Sequence, residues 1–245
     1  MDFKLEVIGF DISGCMVAQE SGADRIELCD NPSDGGTTPS YGLIKAARQK
    51  LSIELYPIIR PRGGDFLYTD DEFRVMLDDI KLCKELGCDG IVTGILDPDG
   101  NIDKKRCQQI TALAYPLGVT FHRAFDRVND STKALEDIIE IGFERILTSG
   151  LKPTAMEGID TIATLIKQAD ERIIIMPGSG VRSSNLKELA NKTGATEFHS
   201  SARIFNDSKM KYSNDTMHEK LKAVTVDKEE VIKMSKELRD MKRTG

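Results

Sequence analysis

The chain has 245 residues, 40% hydrophobic and 30% charged, with a formal net charge of −6 and five cysteines. That length suits one large α/β barrel or two small domains, no apolar run approaches the roughly 20 residues that cross a bilayer, and Met1-Asp2-Phe3-Lys4-Leu5 lacks the features of a signal peptide. The acidic balance argues against nucleic acid as a partner, and scattered, odd-numbered cysteines read as free thiols in a cytoplasmic protein.

In chain order, Leu5-Glu6-Val7-Ile8 alternates as a short first strand, and residues 13–22 form a helix-like stretch ending at Gly22. Arg25-Ile26-Glu27-Leu28-Cys29 is strand-like, a long polar loop runs from Asp30 to Ser40, and Ser40 can cap a helix to about Lys50. Ile53 to Arg60 is a third strand. After the loop Pro61-Arg62-Gly63-Gly64-Asp65, Phe73, Met76, Leu77, Ile80 and Cys83 recur at helical spacing until Gly87. Strands over 90–96, 119–125, 145–148, 173–176 and 197–201 then alternate with helices marked by Ile110, Ile138, Ile162 and Leu189, with Ser131 the expected cap of the helix after strand five. A polar stretch of some twenty residues precedes a last helix carrying Val231, Met234, Leu238 and Met241.

Eight strands alternating with helices predict an α/β fold of the (β/α)8 TIM-barrel type, a single domain over 1–204. Residues 205–245 are expected to add a polar segment and a terminal helix packing on the barrel. Four strand openings look alike: Gly22-Ala23-Asp24-Arg25-Ile26, Gly87-Cys88-Asp89-Gly90-Ile91, Gly142-Phe143-Glu144-Arg145-Ile146 and Gly194-Ala195-Thr196-Glu197-Phe198. They open the even-numbered strands, which an open doubly wound sheet gives no reason to expect.

In such a barrel the chemistry sits at the C-terminal strand ends. Those ends supply Glu27 and Cys29, Arg60 and Arg62, Thr93 and Asp97, then His122, Arg123 and Asp126, Thr148 and Ser149, and His199, Ser200 and Ser201. Histidine, arginine and carboxylate leaving one strand together at 122–126 point to a pocket floor, since each would need a partner in a core. The bland alternatives are ion pairs of Glu6 or Glu27 with Arg60 or Arg123 that close the barrel interior, and Asp126 as a helix cap. Arg60 and His122 are expected to meet at the mouth, their strand ends about 10 Å apart, with Glu27 or Glu6 compensating the arginine.

Pro177-Gly178-Ser179-Gly180-Val181-Arg182-Ser183 frees backbone amides at a helix start, where barrels commonly hold phosphate. Gly178, Gly180, His199 and Ser200 are the expected cup, and the loop resembles that of deoxyribose-phosphate aldolases. Arg60 and Arg62, beside Gly63-Gly64, suit a carboxylate or phosphate. Metal signals are weaker: Cys29, with Cys15 if the first loop folds over the mouth, is the candidate thiolate donor. No lysine is expected in a barrel strand, which disfavours Schiff-base chemistry.

Taken together, Gly22–Cys29, Gly35–Ser40, Ile58–Phe66, Val92-Thr93-Gly94, Thr120–Asp126, Leu147–Gly150, Gly178–Arg182 and His199-Ser200-Ser201 resemble the CutC copper-homeostasis family over about residues 5–212. Thr37 stands where the family usually has leucine, and Gly9-Phe10 where many members place cysteine. The resemblance implies a cytoplasmic, homo-oligomeric TIM barrel associated with copper tolerance and proposed to bind copper(I), here through Cys29.

Two main readings and a third follow. One is a copper(I)-binding protein with Cys29, and Cys15 or His122, as ligands. The second is an enzyme on a small anionic metabolite, phosphorylated or carboxylated. In it His122 is the acid/base, Glu27 or Asp126 orients it, Arg60 and Arg62 hold the substrate, Ser149 lies at the strand-six end, and the Gly178–Gly180 loop takes phosphate. The third is a non-catalytic, partner-binding barrel. None involves nucleic acid or a membrane.

Overall fold

In a computed structural model of the protein, which describes residues 3–218 and 221–244, strand and helix alternate along the chain. Met1 and Asp2 of the opening stretch, and positions 219, 220 and 245 of the C-terminal segment, lie outside the described residues. The order is β1 (Lys4–Gly9), α1 (Ile12–Glu20), β2 (Arg25–Leu28), α2 (Tyr41–Lys50), β3 (Glu54–Pro57), α3 (Asp70–Glu85), β4 (Gly90–Thr93) and α4 (Lys104–Ala114). Then come β5 (Gly118–Phe121), α5 (Ser131–Ile141), β6 (Arg145–Thr148), α6 (Ile159–Ala169), β7 (Ile174–Pro177), α7 (Ser183–Thr193) and β8 (Glu197–Ser200). The parallel strands run β3-β2-β1-β8 and β4-β5-β6-β7. A parallel bridge between Ile58 and Val92 joins β3 to β4, and β7 lies against β8, so the sheet closes into the expected (β/α)8 barrel.

Each helix follows from local chemistry. Thr69 and Glu72 form a reciprocal capping box at the start of α3, which buries Phe73, Met76, Ile80 and Cys83. Ser40 caps α2 through the Leu43 amide. At α5 the cap is Asp130, whose side chain accepts from the Lys133 amide at 3.0 Å, and not Ser131 as expected. A carboxylate serves that position at least as well as a hydroxyl.

The four-fold repeat has a physical meaning. Gly22, Gly87, Gly142 and Gly194 all have positive φ, which turns the chain from helix into strand. Asp24 and Asp89 then accept from the backbone amides of Leu5 and Leu55, fastening β1 and β3 at 2.8 and 2.9 Å. The first residues of the even strands, Arg25, Gly90, Arg145 and Glu197, form the bottom layer of the barrel. Arg25 reaches Glu6 (3.1 Å), Glu54 (2.9 Å) and Glu197 (2.9 Å), and Arg145 reaches Glu197 (2.6 Å). A side chain at Gly90 would overlap Tyr56, whose ring lies under both guanidinium groups and whose hydroxyl donates to Glu144. Such a buried network is neutral against a packed apolar core, but removing one member strands the others, at about 3–5 kcal/mol.

Two details depart from the sequence reading. β1 begins at Lys4, so a lysine does enter a barrel strand, but at this closed end, paired with Glu54 at 2.8 Å. The polar stretch after β8 folds as an antiparallel hairpin of β9 (Arg203–Asp207) and β10 (Lys222–Val226). The chain ends in α8 (Lys228–Thr244), which buries Val231, Met234 and Leu238 and packs on α7 and α1. Among the described residues no helix is long and apolar enough to cross a membrane.

Candidate active site at the barrel mouth

A cavity of about 330 Å³ opens at the C-terminal strand ends, and β-strand alternation decides what faces it. On β2 the inward residues are Arg25, Glu27 and Cys29; on β8 and its continuation they are Glu197, His199, Ser201 and Arg203. One wall is therefore acidic and the opposite wall, from β3 and β5, carries Arg60 and His122 with Phe66 between them.

On the acidic wall His199 Nδ1 lies 2.7 Å from Glu6 Oε1, and His199 Nε2 lies 3.7 Å from Glu27 Oε2. Burial opposes charge on Glu6, but the hydrogen bond from His199 and the charge of Arg25 outweigh it and hold the carboxyl at about 2. Burial lowers the basicity of His199, and Glu6 and Glu27 more than restore it, so the imidazole is raised. Glu27 is different. Burial lifts it to about 7, with His199 opposing and Glu6 adding to the lift. It is 3% exposed, and among the described residues its polar neighbours are His199 Nε2, the Glu6 carboxylate and the Cys29 thiol. It is a carboxyl facing the cavity, with His199 as its nearest cationic partner.

On the opposite wall Arg60 is compensated, but not by a carboxylate. Its Nη1 donates to the carbonyls of Asp34 (2.7 Å) and Gly36 (2.9 Å), and its Nη2 to Gly64 (2.8 Å). The expected pairing with Glu27 or Glu6 is thus replaced by the two polar loops, whose carbonyls wrap the guanidinium. Arg60 and His122 do share a neighbour: Phe66 lies 4.9 Å from the guanidinium and 4.8 Å from the imidazole. His122 Nδ1 accepts from the Ala124 amide at 3.3 Å, while His122 Nε2 and Arg60 Nε are buried without a hydrogen-bond partner. Burial, then the Arg60 charge, pushes His122 down to about 3.

The rim is cationic. Arg123 is held by Asp126 (2.7 Å) and Ser149 (2.8 Å). Arg182 and Arg203 also line the cavity, and neither has an ion-pair partner among the described residues.

Several expected residues stand elsewhere. Asp126 accepts from Arg123, Thr148, the Ser149 amide and hydroxyl, and the Leu151 amide, so it positions Arg123 and does not line the cavity. Ser149 also donates to the Lys152 carbonyl. Ser200 donates to the Val181 carbonyl (2.7 Å) and Arg62 pairs with Glu72 (2.6 Å), both outside the cavity. Gly178 admits Leu147 and His199 against the backbone, while Gly180 lines the cavity. At the start of α7 the Ser183 amide and hydroxyl donate to Glu230 of α8, at 2.8 and 3.0 Å, so a carboxylate of the chain occupies the helix start itself, while Ser179, Gly180 and Val181 of the preceding loop line the cavity. Arg203 and Phe66 had not been singled out. The alternation 199, 201, 203 would have pointed to Arg203; nothing local marks Phe66.

The donor set does not fit copper(I). Cys29 is buried in the barrel with Tyr56, Ile58 and Val92, and burial, then Glu27 and Glu6, raise its thiol well above the ordinary value. Cys15 instead fills the space beside Gly9 on the helix side of β1 and joins the outer core. Copper(I) prefers several thiolate or thioether donors; Glu6, Glu27 and His199, whose ligand atoms lie within 4.8 Å of one another, are oxygen and nitrogen donors already joined to each other and to Arg25.

A family model described as "CutC family" matches residues 3–204. The chain is 49% identical over 215 residues to a human protein named copper homeostasis protein cutC homolog, covering 88% of this chain and 79% of that one. It is 51% identical over 214 residues to a family protein CutC of Parabacteroides distasonis, covering 87% and 88%. The crystal structure of a CutC protein from Streptococcus agalactiae superposes with a TM-score of 0.78 at 36% identity, over 81% of this chain and 98% of that one. Phosphoribosylanthranilate isomerase of Thermotoga maritima, at 12% identity and a TM-score of 0.62, over 97% of this chain and 99% of that one, shares the fold.

Proposed function

The chain belongs to the CutC family, and we propose that its barrel mouth is the active site of an enzyme that binds a small phosphorylated or carboxylated metabolite and moves a proton on it. The observation that carries this reading is Glu27, a buried carboxyl that faces the cavity with His199 Nε2 3.7 Å away. A general acid–base group works best with a pKa near the operating pH, and burial brings Glu27 there. His199, anchored on Glu6, exchanges the proton with Glu27 or stabilises its charged form. Arg123, Arg182 and Arg203 supply the attraction for an anion, their forked donors matching carboxylate or phosphate.

A copper(I) role, suggested by the names of the relatives, would rest on Cys29 alone. Free cysteines support the cytoplasmic location that belongs to the same reading. The exposed Phe205, Met210, Tyr212 and Met217 of the hairpin region support a homo-oligomer.

The test is a thermal-shift screen of phosphate esters and small dicarboxylates, with hits titrated calorimetrically against wild type and the Arg182→Ala/Arg203→Ala variant. The reading predicts binding that weakens at least tenfold in the variant. Absence of binding by either class, or tight copper(I) binding lost in Cys29→Ser, would contradict it.

A further inference from the structure

We propose that the anion taken at this mouth is a phosphate monoester, whose phosphate seats in a cup built by the backbone of Ser179, Gly180 and Val181, the Ser201 hydroxyl, Arg182 and Arg203. This rests on the anion-binding reading above and narrows it to one substrate class.

The loop between β7 and α7 divides into groups tied to the frame of the barrel and groups left over. The Ser179 carbonyl accepts from the Ala155 amide (2.9 Å), the Gly180 carbonyl from Asn185 Nδ2 (2.9 Å) and the Val181 carbonyl from the Ser200 hydroxyl (2.7 Å). The Ser179 hydroxyl donates to the Pro153 carbonyl at 2.8 Å. The flanking amides are tied as well, Gly178 to the Thr148 carbonyl and Arg182 to Asn185 Oδ1, both at 2.9 Å. Between them the amides of Ser179, Gly180 and Val181 donate to no acceptor among the described residues. Val181 is 2% exposed, and an amide in so buried a residue is rarely left unpaired.

All three residues line the cavity, and Gly180, having no side chain, lines it with backbone alone. With the carbonyls tied, what this loop has left to offer a ligand is donors. Ser179 and Gly180 both lie at a φ of 74°, a conformation unfavourable for serine that its bonds to Pro153 and Ala155 hold in place. Donors fixed before the ligand arrives lose little freedom on binding it.

The side chains around the loop supply the charge. Ser201, just past the end of β8, lines the same cavity and its hydroxyl has no hydrogen-bond partner among the described residues, where Arg182 and Arg203 also lack an acidic one. Glu230 does not compete, because the Ser183 amide and hydroxyl hold it at the helix start, outside the cup. The number of donors selects the ligand. A carboxylate has two oxygens in one plane, with about four lone pairs to share. Three amides, a hydroxyl and two arginines exceed that, and suit the three strong acceptor oxygens and the near-double charge of a terminal phosphate. The organic part is left for the rest of the cavity, which Glu27 and His199 line.

The test titrates wild type with glycerol 3-phosphate, glycerate and inorganic phosphate, followed in amide-resolved NMR spectra. Glycerol 3-phosphate should bind about tenfold or more tightly than glycerate. Both it and inorganic phosphate should move the Ser179, Gly180 and Val181 amide protons downfield, as hydrogen bonds to an anion do. Ser201→Ala changes no charge and should weaken glycerol 3-phosphate by about tenfold, with the rest of the amide spectrum showing that the fold is intact. Glycerate binding as tightly as the phosphate ester, ester binding with the three amides unmoved, or ester binding indifferent to Ser201→Ala would overturn the proposal and leave the anion reading standing. Binding of none of the three ligands would overturn both.

Discussion

His199 Nδ1 lies 2.7 Å from Glu6 Oε1, with both side chains buried inside the barrel. Because the other Glu6 oxygen lies 3.1 Å from Arg25, this contact couples the ion-pair layer at the closed end to the cavity at the open end. Glu6→Gln keeps the shape and removes the charge. We expect His199 to titrate at lower pH in the variant, read from its ring proton in NMR, and global stability to fall by about 3–5 kcal/mol as Arg25 loses a partner. The raised His199 stabilises the fold fully below its ordinary value of 6.5 and loses that contribution as pH rises through its folded value. The gap between wild type and variant should therefore narrow on the alkaline side. An unmoved His199 titration would contradict the coupling.

Two other buried groups pull pH dependence in opposite directions. His122 is held at about 3 against 6.5, so between those values the unfolded chain binds a proton that the folded chain does not, and stability falls as pH falls. Glu27 is raised from 4.5 to about 7, so in that range the folded chain binds the extra proton and stability falls as pH rises. In wild type they offset each other where the ranges overlap. Chemical denaturation near pH 5.5 should show His122→Asn and Glu27→Gln changing the slope by up to about 1.4 kcal/mol per pH unit, with opposite signs. Slopes equal to wild type in both variants would refute the assigned protonation states.

Neighbouring residues on β5 should respond very differently to truncation. Phe121 is fully buried, with its ring 5.3 Å from Phe143, so Phe121→Ala should cost about 3–5 kcal/mol. His122→Ala removes a ring with an unpaired donor and should cost much less. Urea unfolding of the two variants side by side checks the contrast, and equal losses would place His122 in the packing core.

Gly90 exists for Tyr56. A methyl group there would overlap the Tyr56 ring, and the ring cannot yield because Arg25 and Arg145 cover it and Glu144 holds its hydroxyl. Gly90→Ala should cost about 1–3 kcal/mol or more, and Gly90→Ala with Tyr56→Leu should recover part of it. A neutral Gly90→Ala in thermal unfolding would show that the closed-end layer is loosely packed.

The barrel was legible because its signals are local and repeated: four glycines in the left-handed region, each followed by a strand whose first residue enters one layer. The inward identity of Glu6, Glu27, His122 and His199 was legible for the same reason, since alternation is a property of the strand alone. What local sequence could not reveal was who compensates whom. Arg60 is hydrogen-bonded by carbonyls of loops whose paths depend on the whole barrel. Asp126 turns back to Ser149 and Arg123 because β6 lies beside β5. The start of α7 is occupied by Glu230, 47 residues away in sequence, brought there by the packing of α8.

The most direct test of an anion site working beside a poised carboxyl is proton uptake on ligand binding. A phosphate ester bound in the cavity adds negative charge near Glu27 and His199, which raises their proton affinity. Calorimetric titration at pH 7 in two buffers of different ionisation enthalpy reads that uptake directly. We predict uptake of a fraction of a proton by wild type, with most of it lost in Glu27→Gln. Binding without proton uptake, or uptake unchanged in Glu27→Gln, would contradict the account.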